Sequence, residues 1–148
     1  MSYQRLIAEH DRIDAALVRL LNHVDAVAPD PVDTMLALSR LSDEMREHLA
    51  REDALLYPDL IADERHAFPR IAADFEREFA ELRDDWSRYL QEWDSLSIQH
   101  DWAGFCHETH SIAERLADRV AAENRLLYAA ALREGVIPLR DPPLPNVV

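Results

Sequence analysis

The strongest constraint on this chain is its periodicity. Four long stretches place apolar residues three and four apart, the spacing that puts a set of side chains on one face of an α-helix. The first runs from about Ser2 to Ala28 and stops at Pro29, with Leu6, Ile13, Leu17, Leu20 and Val24 on its apolar face. Asp30-Pro31 then reads as an N-cap acid followed by proline at the first helical position. The second stretch runs from Pro31 to about Ala62, with Leu38, Leu41, Met45 and Leu55 inward and a kink expected at Pro58. Pro69 opens the third, to about Leu96, with Phe75, Phe79, Leu82, Trp86, Tyr89 and Trp93 inward. The fourth covers about Asp101 to Glu134 before Gly135, with Phe105, Ile112, Leu116, Leu126 and Ala130 inward. Short connections favour antiparallel neighbours. The predicted fold is therefore all-α, an up-down-up-down four-helix bundle over residues 1–134, with a proline-rich extended tail over 135–148.

Composition narrows the function. With 2 glycines among 148 residues there is little turn chemistry for a multi-stranded sheet. All 16 basic residues are arginine and 29 are acidic, a net charge of −13. That surface disfavours both nucleic acid and anionic membranes as partners. No apolar run is long enough to span a bilayer, and the first residues lack the layout of a signal peptide. A single cysteine, Cys106, can form neither an intrachain disulfide nor a thiolate cage. The expectation is a cytoplasmic protein. No phosphate-binding glycine loop, nucleophile elbow or Ser/His/Asp arrangement argues for an enzyme.

Five polar residues interrupt the apolar stripes: His10, His48, Glu52, Arg119 and Glu123. A bundle interior penalises an unpaired ion by several kcal/mol, so such groups must pair with each other or with a metal. His48 and Glu52 lie one turn apart, as do Arg119 and Glu123. Neutral imidazole with carboxylate is a good ligand set for iron, zinc or manganese. A lone inward histidine is ordinarily a hydrogen-bonded core residue, but two histidines and two glutamates on three helices form a group. The ferritin-like alternative requires Glu-x-x-His, which does not occur here. His107, His110 and Glu114 look ligand-like, yet Arg119 is nine residues beyond His110, half a revolution round the helix. That run is predicted to face away. His23, His66 and His100 lie near segment ends and suggest nothing.

The chain also repeats itself. Glu9-His10-Asp11-Arg12-Ile13 aligns with Glu78-Phe79-Ala80-Glu81-Leu82, and His48-x-x-x-Glu52 through Tyr57 aligns with Arg119-x-x-x-Glu123 through Tyr128. One helical hairpin occurs twice.

Glu-His-x-x-Ile followed by His-x-x-x-Glu-[acid]-x-Leu-Leu-Tyr-Pro resembles the hemerythrin-like, HHE cation-binding domain family. The resemblance implies a bundle holding two irons bridged by two carboxylates and ligated by histidines, in proteins that bind or sense oxygen, store iron or report redox state. Carried over by residue, it gives His10 and His48 to one iron and makes Glu52 and Glu123 the bridging carboxylates. The positions matching the second iron's histidines are Phe75, Phe79 and Arg119. Two phenyl rings supply no donor atom, and arginine supplies a fixed positive charge. The guanidinium of Arg119 is expected where the second cation would be, forking onto both glutamates.

The expectation is thus a bundle with a vestigial di-iron site: a non-enzymatic binding, regulatory or structural protein without a full metal centre. The alternative is a mononuclear iron or zinc module for redox or oxygen sensing. A di-iron oxygen-binding protein is least favoured, since a single iron cannot share a two-electron transfer. Homo-oligomerisation through a helix face carrying Trp86, Trp93 and Trp102 is a further possibility.

Overall fold

The computed structural model describes residues 1–64 and 68–146, and His66 lies outside them. The described chain is helical, with no strand among its elements: α1 (Tyr3–Val24), α2 (Pro31–Arg51), α3 (Tyr57–Ala62), α4 (Phe68–Glu92), α5 (Ser95–His100), α6 (Trp102–Ala122) and α7 (Ala129–Arg133). Helix α1 packs along α2 and against α6, α4 packs against α6 and α3, and α5 sits between α2 and α6.

The helix starts follow from local chemistry. Ser2 accepts from the Arg5 amide, Asp30 from Val32 and Asp33, Asp94 from Ser97 and Asp101 from Gly104. Each supplies an acceptor to an amide that has no partner in the first helical turn. Helix α1 stops at Val24, earlier than the sequence pattern suggests, and α4 stops at Glu92. At the other end of the chain, Gly135 takes φ 74°, a conformation that costs glycine little, and turns the chain back. The segment beyond it lies on the start of α1. The Tyr3 and Gln4 amides donate to the carbonyls of Pro138 and Leu139 at 2.8 and 3.0 Å, and Ile137 is buried. The tail thereby satisfies two amides that α1 itself leaves open.

Between α2 and α3, and again between α6 and α7, the helix widens into a π segment: Glu52–Leu56 and Glu123–Tyr128. In place of the kink expected at Pro58, the departure from α geometry is a π segment that begins upstream, at Glu52. Proline is not its cause, because the same widening occurs before Ala129, the repeat counterpart of Pro58. Pro58 sits near the start of α3, where a missing amide hydrogen matters least.

These segments also correct the inward register. Strict 3.6-residue spacing turns Leu55, Leu126 and Ala130 inward, yet Leu55 and Leu126 are about half exposed, at 47% and 51%, and Ala130 is only partly buried. Leu56, Leu127 and Ala131 take their places and are fully buried. Each π turn holds one residue more than an α turn, and everything after it shifts by one.

The buried apolar residues form two clusters. One contains Ile13, Leu17, Leu41, Met45, Phe79, Trp86, Phe105 and Leu116. The other contains Leu6, Leu56, Tyr57, Phe75, Leu127 and Tyr128. Trp86 is buried, and Trp93 and Trp102, each partly buried, pack against the first cluster. The clusters divide along every long helix at the same level, between Leu6 and Ile13, between Met45 and Leu56, between Phe75 and Phe79, and between Val120 and Leu127. The buried polar residues occupy that level.

Candidate metal centre

His10 from α1, His48 from the last turn of α2, and Glu52 and Glu123 at the starts of the two π segments converge in this layer. All four are buried, at 1–4% exposure, and one ligating atom from each lies within 4.8 Å of the others. The Nε2 atoms of His10 and His48 are 3.1 Å apart, and His48 Nε2 is 3.0 Å from Glu52 Oε1.

Both imidazoles are anchored from behind. His48 Nδ1 donates to Glu9 Oε1 at 2.8 Å, and the other oxygen of Glu9 accepts from Arg51 Nε at 2.6 Å. His10 Nδ1 donates to Asn124 Oδ1 at 2.6 Å. With Nδ1 committed outward, each ring presents Nε2 to the centre, the arrangement by which outer partners orient metal-binding histidines. Glu9 and Asn124 escape the sequence reading for different reasons. Glu9 sits at the edge of the α1 stripe, where an acid reads as solvated, yet it is 2% exposed. Asn124 falls inside a π segment, where helical spacing no longer reports direction.

The electrostatics follow from burial and pairing. Burial, reinforced by the charge of His48, pushes His10 down to about 4, so it is neutral. Burial would lower His48 too, but hydrogen bonds to Glu52 and Glu9 override it and raise it to about 9. Burial would raise Glu52, but the hydrogen bond from His48 and its charge hold it at about 2. Glu123 is raised well above the carboxylate range by burial and by the neighbouring Glu52 charge. Without a cation the layer therefore holds one imidazolium–carboxylate pair and a second carboxyl that favours its proton.

Arg119 lies on the other side of the glutamates. Nε donates to Glu123 Oε1 at 3.0 Å, Nη1 to the Phe75 carbonyl at 2.9 Å and Nη2 to the Tyr57 hydroxyl at 3.2 Å. Its Cζ lies 4.8 Å from the Phe75 ring centre and 4.7 Å from that of Phe79, a guanidinium held between two aromatic faces. The expected fork onto both glutamates is not what forms. Of the pair, Glu123 receives the guanidinium, and the remaining donors go to Tyr57 and the α4 backbone. A cavity of about 160 Å³ beside Glu52, Tyr57 and Phe79 reaches the surface at Arg83 and Asp53, which bridge at 2.9 Å.

The model of the family described as "Hemerythrin HHE cation binding domain" matches residues 1–131. The chain belongs to the hemerythrin HHE cation-binding family. Comparison with curated proteins and with solved structures returned no match. Two imidazole nitrogens and two carboxylates, buried and oriented from behind, make a donor set that could hold a metal ion, which fits a cation-binding family. Of the residues on the far side of the glutamates, Phe75 and Phe79 carry no donor atom in their side chains and Arg119 is itself a cation. His107, His110 and Glu114 are exposed, His110 bonding Asp25 at 2.7 Å, and take no part in this hemerythrin-like centre. Among the described residues no helix is long and apolar enough to cross a membrane.

Proposed function

We propose that this hemerythrin-family domain is a non-enzymatic single-cation module, its helices an antiparallel four-helix bundle of two repeated hairpins. His10, His48, Glu52 and Glu123 hold the cation, and Arg119, stacked on Phe75 and Phe79, fills the second position. The observation that carries this reading is the convergence of four buried ligands whose two imidazoles are oriented by Glu9 and Asn124. Iron at this position would supply one-electron redox chemistry, which suits sensing rather than oxygen transport. With a net charge of −13, its partners belong to neither the nucleic acids nor membrane surfaces.

A metal-free reading is favoured by one observation: among the described residues, no buried side-chain nitrogen or oxygen lacks a hydrogen-bond partner. A network so satisfied can support a structural or regulatory role by itself.

Metal content by inductively coupled plasma mass spectrometry, on protein expressed with iron and zinc supplied, separates the two. About one metal per chain, lost in His48→Ala, is the expected result. No metal would leave the network reading standing. Two irons per chain would overturn the role given to Arg119.

A further inference from the structure

Tyr128 occupies a position that the four ligands do not explain. Its side chain is fully buried, and its hydroxyl lies at the centre of the group. The hydroxyl donates a short hydrogen bond to Glu52 Oε1 and lies 3.0 Å from Glu123 Oε2, 3.2 Å from His10 Nε2 and 3.4 Å from His48 Nε2. A phenol oxygen within contact of every candidate ligand stands where a bound cation's coordination sphere must form.

The internal repeat supplies an independent argument. Tyr57 follows Glu52 by the same interval as Tyr128 follows Glu123, and in each case a π segment intervenes. In a regular α-helix, residues five apart diverge by about 140°. The wider π turn brings them back to one side, as the Tyr57 amide bonding the Glu52 carbonyl shows. Each tyrosine thus points its hydroxyl into the polar layer. The Tyr57 hydroxyl oxygen accepts from Arg119, the resident cation of the second position. By the same symmetry, the Tyr128 oxygen faces the cation position of the first.

We propose that Tyr128 is the fifth protein ligand of the bound cation and biases the site towards ferric iron over zinc. The proposal rests on the single-cation reading above. On binding, the phenol O–H bond breaks and a bond from the phenolate oxygen to the metal forms. The phenol proton leaves to solvent, together with the Nε2 proton of His48 and the carboxyl proton of Glu123 that the metal-free layer carries. The oxidation state does not change. A phenolate added to two carboxylates makes the donor set oxygen-rich and anionic, which suits a hard trivalent ion better than a borderline divalent one.

The test loads the full chain with ferric citrate, with zinc, and with both at equal concentration. It measures metal stoichiometry, which should favour iron in the mixture, and visible absorption, with resonance Raman excitation in any visible band. The expected result is one iron per chain with a phenolate-to-iron charge-transfer band. That band persists in Tyr57→Phe and vanishes in Tyr128→Phe, whose iron affinity falls about 10- to 100-fold, the loss typical even of outer partners. Bound iron without a visible band, or a band surviving Tyr128→Phe, would overturn the role of Tyr128 and leave the single-cation reading intact. Absence of bound iron and zinc alike would overturn both. If Tyr128→Phe does not fold, ring-deuterated tyrosine in the Tyr57→Phe protein decides the point: Raman bands that fail to shift would refute ligation by tyrosine.

Discussion

Replacing Arg119 with methionine removes the charge and the hydrogen bonds while keeping an unbranched side chain between the Phe75 and Phe79 rings. The side chain is 10% exposed, so its interactions are made with little water. It forms three hydrogen bonds from a charged donor, each worth about 1.5–3 kcal/mol, and two ring contacts worth about 0.5–2 kcal/mol each. Relief from burying the guanidinium offsets part of that sum. The expected net loss is about 3–5 kcal/mol, since the lost hydrogen bonds and ring contacts outweigh that relief. For a chain of this size that corresponds to a fall in Tm of about 6–20 °C. Urea unfolding followed by circular dichroism on metal-free protein measures it. Adding Glu123→Gln to Arg119→Met should change stability by less than about 1 kcal/mol further, because the carboxyl left behind already favours its proton. A loss below about 1 kcal/mol for Arg119→Met would refute the argument that this guanidinium holds the second position.

Three other outcomes follow from the same geometry. Glu9→Gln keeps an acceptor for His48 Nδ1 but removes its charge, so metal affinity in a competition titration with a chromogenic chelator should fall about 10- to 100-fold; unchanged affinity would show that Glu9 serves only Arg51. Phe79→His combined with Arg119→His restores donor atoms at the second position, and mass spectrometry should find metal content rising from about one towards two per chain. No rise would count against the repeat alignment. For metal-free protein, His48 bonded to Glu52 and Glu9 adds stability that is complete below pH 6.5 and lost as pH rises through 9, at most about 3 kcal/mol. The Glu52 contribution is complete above pH 4.5 and lost as pH falls towards 2, while His10, held neutral down to about 4, opposes folding below pH 6.5. Glu123, held protonated, opposes folding as pH rises above 4.5 and so works against His10 between pH 4.5 and 6.5. The urea midpoint should fall from about pH 6.5 towards 9 and again from about pH 4 towards 2, and the alkaline fall should be smaller in His48→Gln.

How much of this was legible in the sequence depended on whether the helix stayed regular. Leu6, Ile13, Leu41, Phe105 and Leu116 obey the 3.6-residue period, and spacing alone assigns them to the core. His10, His48, Glu52 and Glu123 interrupt those stripes ahead of, or at the start of, the π segments, so their faces could still be read and the structure brings them together. Arg119 was legible through the repeat, as the residue in the place of His48. Past Glu52 and Glu123 the period fails, and regular spacing points one position out of register, to Leu55 instead of Leu56 and Leu126 instead of Leu127, and does not point to Asn124. Glu9 was hidden for another reason. A carboxylate beside a stripe looks solvated until its partners, His48 and Arg51 on another helix, are known, and no local pattern encodes a contact across helices.

The paired π segments also bear on the history of the chain. One residue added to a regular helix rotates everything beyond it by about 100° and would turn a core face to solvent. Here the widened turn absorbs the addition, and Tyr57 and Leu60 in one half, like Tyr128 and Ala131 in the other, remain inward. The same accommodation at matching positions, each opening on a glutamate, is most simply explained as one insertion inherited twice. The two halves share the widened turn and its opening glutamate, and differ where one carries His10 and His48 and the other Phe79 and Arg119.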